Sequence, residues 1–173
     1  MKSAKNIAII SIMSATLSAG KLAMSVLPNI EPVTILIALY ASVFGCAYVL
    51  PATAVFILLD VFIYGLNTWV ISYFIYWPLV AVVFAFVNKK QKGKIVNTIV
   101  AVLLTVSFGV LTSLVDVGLF MGAFDNFWYR FGIMYIRGIP FFAIHVLSNF
   151  ALFLLCYTPL CKALSKTKNH FLD

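Results

Sequence analysis

Charge is what this sequence has least of. Only 10% of the 173 residues are charged, and five are acidic: Glu31, Asp60, Asp116, Asp125 and Asp173. A soluble domain is about 25% charged and about 45–50% apolar. Here 64% of residues are hydrophobic and the mean hydropathy is +1.08. That balance excludes a water-facing globule and predicts a chain dissolved in lipid. Cysteine is scarce too: Cys46, Cys156 and Cys161 form no C-x-x-C pair, which argues against a metal site or a disulfide framework. The patterns G-x-x-x-x-G-K-[ST], H-E-x-x-H and G-x-S-x-G do not occur, so the chain brings no P-loop of its own. It also has no internal repeat, against the inverted halves of many secondary transporters.

What is present is apolar helix. A span takes about 20 residues, and the length admits six: about 5–27, 33–48, 52–64, 69–87, 95–121 and 136–164. They predict one all-α integral membrane domain over 1–173. Gly45 and Pro51 mark the second connection. Pro140 and Pro159 predict bends in the last span. The run after Lys5 reads as a span rather than a signal peptide, being long enough to cross and having Leu17 badly placed for a cleavage at Ala19.

Lysine placement gives the expected orientation. Lys2 and Lys5, then Lys89, Lys90, Lys92 and Lys94, then Lys162, Lys166 and Lys168 fall on one side of a six-span chain. That side, with both termini, is cytoplasmic by the positive-inside rule. The net charge of +7 is therefore a topology signal and not a nucleic-acid footprint.

Spacing within the spans singles out further residues. Ala15, Ala19 and Ala23 recur every four residues, with Ala4, Ala8 and Ser11 extending the row. In lipid such a small-residue stripe lets another helix come close. The segment after it, Asn29-Ile-Glu31-Pro, reads as a loop that helps close a ligand site. Lys21, Asp60 and Asp116 lie one to two turns below the predicted outer helix ends, roughly 7–10 Å at 1.5 Å per residue. Lys21 with Asp60 reads as a structural ion pair, Asp116 being the other carboxylate at that depth; the functional reading turns one or more of the three toward a ligand.

Trp69, Tyr73 and Trp77 follow one another at i+4, either as an interfacial belt or as a stacking wall for a planar ligand. Phe141, His145 and Asn149 share a face below Arg137, as ligand contacts or as interhelical hydrogen-bond partners. The stretch from Gly122 to Tyr135, with Trp128 and Arg130, has the composition of a lid or of a loop lying on the bilayer.

These residues resemble a family, the substrate-binding S components of energy-coupling factor (ECF) transporters. The resemblance covers nearly the whole chain. It is carried by the Ala15-x-x-x-Ala19-x-x-x-Ala23 row, Leu27-Pro-Asn-Ile-Glu-Pro-Val-Thr34, Gly65-Leu-Asn67-Thr-Trp69, Gly138-Ile-Pro-Phe-Phe-Ala-Ile-His145 and Ser148-Asn-Phe150. Phe142 stands where family members often carry an acid. The resemblance implies a subunit that binds a water-soluble vitamin or related micronutrient outside and docks on a transmembrane T subunit through the small-residue face. Two cytoplasmic ATPases would drive the complex, with the S component toppling in the cell membrane. It places the site among the outer loops, Asn67 included, and the outer halves of helices 4 to 6. Within the family the likeness is to members linked to cobalamin and other corrinoids. It implies no catalysis and no cofactor. Two readings compete: a self-sufficient transporter or channel using Lys21, Asp60 and Asp116, and an intramembrane enzyme using Asp60, Asp116 or His145.

Overall fold

The structure, a computed structural model, describes residues 2–88, 93–120 and 126–172, with side chains from 4 to 168 within those ranges. Lys89, Lys90 and Lys92 of the expected basic loop, and Phe124 and Asp125 of the expected lid, lie outside the described residues.

In lipid each backbone N–H and C=O must be satisfied within the protein, which favours helix. The described residues form helices and no strand: α1 (Lys2–Ala23), α2 (Val33–Phe44), α3 (Cys46–Tyr64), α4 (Thr68–Asn88) and α5 (Lys94–Val115). A π-helical turn, Asp116–Phe120, extends α5. The last rod joins α6 (Phe127–Leu152), a second π turn (Phe153–Tyr157) and α7 (Thr158–Leu172). Among the described residues, five helical stretches are long and apolar enough to cross a membrane. The exception is α2, whose 12 residues reach about 18 Å against a hydrocarbon core of about 30 Å. Eight of those residues are buried, so α2 is the central helix, apolar on all sides because protein surrounds it.

Hydrogen bonds fix the directions. Lys21 Nζ lies 2.7 Å from Asp60 Oδ2, and Tyr48 Oη donates to Asn6 Oδ1 at 3.0 Å, so α1 and α3 run parallel and meet near both ends. Asn88 Nδ2 donates to Ser42 Oγ at 2.8 Å and to Tyr157 Oη at 3.0 Å, which brings the ends of α2 and α4 to the second π turn. Asn149 Nδ2 donates to Thr105 Oγ1 at 2.9 Å and ties α6 to α5. Successive helices thus alternate in direction, and Lys5 and Lys168 line one groove at the end opposite Lys21.

Several boundaries differ from the sequence expectation. α1 stops at Ala23, not Leu27, because the chain tightens into i→i+3 bonds, Ser25 N–H to Leu22 O and Leu27 N–H to Met24 O. The α2–α3 corner is Gly45 alone, at φ +81°, where an L side chain would be strained. Pro51 does not mark the corner; it lies in the second turn of α3. The last rod begins at Phe127, not residue 136, so most of the expected lid is helix, and it ends at Leu172, not residue 164.

Candidate functional site

At the Lys21 end a cavity of about 440 Å³ opens between the α1–α2 loop and α4, α5 and α6. That lies within the range of about 300–1,000 Å³ typical of small-molecule sites. Aromatic packing builds its wall. Trp69 meets Tyr73 edge-on at 5.4 Å, Tyr73 stacks on Phe108 at 5.9 Å, and Phe108 meets His145 edge-on at 5.7 Å. Beneath them Trp77 is fully buried, 5.1 Å from Tyr73, and supports the wall without lining the cavity.

Lys21 does not snorkel out. Besides the Asp60 carboxylate, its Nζ lies 4.5 Å from the Trp69 ring centre, 4.6 Å from Tyr73 and 4.8 Å from Tyr64. Ring quadrupoles and a carboxylate together replace the water an ammonium loses on burial.

Glu31 enters from the α1–α2 loop, where Gly20 permits the close approach. A Cβ at Gly20 would stand 2.9 Å from Pro32 Cγ. Burial pushes the Glu31 carboxyl up from 4.5 to about 7; Lys21 opposes this rise and Asp60 adds to it. Its Oε1 stands 3.7 Å from His145 Nε2, beyond hydrogen-bond length, and that nitrogen has no other partner among the described residues.

The residues proposed from sequence fall into two groups. Asn29, Glu31, Trp69, Tyr73, Asp116 and His145 line the cavity, and so does Lys21. Asn67 instead caps α4: its Oδ1 accepts the Val70 N–H at 3.1 Å. Trp128 and Phe141 are 74% and 56% exposed, and with Arg130 and Arg137 they lie off the cavity. Phe142, one position on, lines it instead, because a helix turns about 100° per residue. Phe108 and Thr112 also line it and were not singled out from sequence. Phe108, Thr112 and Asp116 are spaced i+4, the spacing that draws attention to Trp69 and Tyr73 on α4.

The alanine row lies elsewhere on the molecule. Ala15, Ala19 and Ala23 are exposed, as are Ala4, Ala8 and Ser11, while Met13, Ser14 and Leu17 face the core. No group of three metal-ligating side chains occurs among the described residues. Compared with family models, curated proteins and solved structures, the chain matches none.

Proposed function

We propose that the chain is the substrate-capture (S) subunit of an ECF-type importer in a prokaryotic cell membrane. It has six spans, α2 making the second crossing with the α1–α2 loop on the outer side, and both termini are cytoplasmic. The cavity faces outward and takes a water-soluble vitamin or related micronutrient. The alanine row docks on a transmembrane T subunit that two cytoplasmic ATPases drive.

The observation that carries this reading is the two-sided character of α1. Its outward face carries the exposed alanines Ala15, Ala19 and Ala23 with Ile12 and Leu22 beside them, while its last turn supplies Lys21 to the cavity. A smooth stripe allows the close backbone contact on which helix pairing in lipid depends, and the shared helix links docking to the ligand site. The test is Ala19→Trp. Co-purification of the T subunit and ATPases, and uptake with them, are expected to be lost, while native mass spectrometry still finds the small molecule retained by the wild-type chain. Normal uptake by this variant would refute the docking role.

A second reading is a self-sufficient ion-coupled transporter. Lys21 and Asp116 on one cavity lining, with Asp60 behind Lys21, favour it. It requires uptake by the chain reconstituted alone, without ATP.

A further inference from the structure

The charges of the cavity lining do not balance. Lys21 is the one cationic residue among the lining side chains, and it is already held by Asp60 at 2.7 Å. Glu31 and Asp116 remain, and among the described residues neither forms a salt bridge to a lysine or arginine. A second observation is independent of these acids. His145 is 4% exposed, lines the same cavity, and its Nε2 has no hydrogen-bond partner. Buried polar atoms are rarely left so. The 3.7 Å between this nitrogen and Glu31 Oε1 leaves room for a donor lying beside the direct line between them and reaching both. The adjoining wall, Trp69, Tyr73 and Phe108, lines the cavity with aromatic rings, two of which already hold the Lys21 ammonium; such rings favour both a planar ligand and positive charge. Asp116 also opens a π-helical turn, an irregularity frequent at functional sites.

We propose that the cavity takes a small organic cation built on one or two aromatic rings, with Glu31 and Asp116 as counter-ions and a ligand N–H set between Glu31 and His145. This rests on reading the cavity as the capture site. It departs from the corrinoid likeness in favour of a ligand whose size suits a cavity of about 440 Å³.

The full-length chain in lipid nanodiscs is titrated calorimetrically at pH 8 with three indoles of matched shape. These are tryptamine (cationic), tryptophol (neutral) and indole-3-acetate (anionic). Tryptamine is expected to bind at least tenfold more tightly than tryptophol, and indole-3-acetate not to bind. Glu31→Gln and Asp116→Asn, on separate elements, should each weaken tryptamine at least fivefold; if one does not fold, the other carries the test. Equal or tighter binding of indole-3-acetate, no binding of tryptamine, or tryptamine affinity unchanged in the folded variants overturns the proposal. The titration uses no partner chain, so its failure is distinct from failure of the docking test.

Discussion

Glu31 is answered by a cation that is already committed. Lys21 lowers its pKa, yet Lys21 lies on Asp60, and burial prevails, leaving the carboxyl near 7. The sign follows from linkage. In the unfolded chain the group titrates near 4.5 and in the folded one near 7, so the folded state binds more protons between those values. This group's contribution to stability is therefore greatest below pH 4.5, falls as pH rises to about 7, and is flat above. Ligand binding runs the other way, since a cation needs the carboxylate. Lys21, Asp60, Tyr73, Asp116 and His145 also face this region, so the pH response is assigned by variant. Tryptamine affinity should fall close to tenfold between pH 8 and pH 6 in the wild type, and Glu31→Gln should flatten the profile. A profile unchanged by Glu31→Gln assigns the titration to another group.

At the scale of elements, α1 and its loop set the geometry of the site. Gly20 lets Pro32 sit against α1, and Pro32 carries Glu31 beside it. Gly20→Ala should force this loop outward, weaken tryptamine severalfold and leave T-subunit co-purification intact, because the alanine row is on the other face. Calorimetry and pull-down on the same preparation check both.

Elements were legible where one physical signal decided them. The hydropathy pattern placed α4 to within a residue at each end, 69–87 against Thr68–Asn88. It misled where composition and backbone disagree. Phe127–Tyr135 mixes rings with polar groups and reads as loop. There Asn126 takes the left-handed conformation, at φ 61°, and the helix starts at once, with Phe131 stacked on Tyr135 at 5.9 Å. Pro51 failed as a boundary because the helix tolerates it in its second turn, giving up the bond to the Ala47 carbonyl and continuing to Tyr64. For the cavity, charged and polar residues were visible because lipid makes them costly. Phe142 was not, since a phenylalanine in an apolar span carries no mark of which way it faces.

Across the whole molecule, the alternation of helix directions puts the two chemistries at opposite ends. Lys21, Glu31, Asp116 and His145 gather at one, while Lys5 and Lys168 share a groove at the other. The α2–α3 corner also lies at the lysine end, with Cys46 partly exposed beside Gly45. In a Cys156→Ser/Cys161→Ser background, a membrane-impermeant maleimide should label Cys46 in inverted vesicles and not in intact cells. Labelling in intact cells would reverse the proposed orientation.

The last rod has a consequence for how far this protein can lean. Phe127–Lys168 spans 42 residues, roughly 63 Å, about twice the hydrocarbon thickness. Its uncharged middle runs only from Arg137 to Lys162. Under the proposed function, drawing the cavity inward would drag the exposed Arg137 guanidinium toward hydrocarbon, at about 2.5–3.5 kcal/mol at mid-depth. A neighbouring chain offering carboxylates along that path would lower the barrier, and control over when the cargo turns inward would then belong to the neighbour rather than to the cargo.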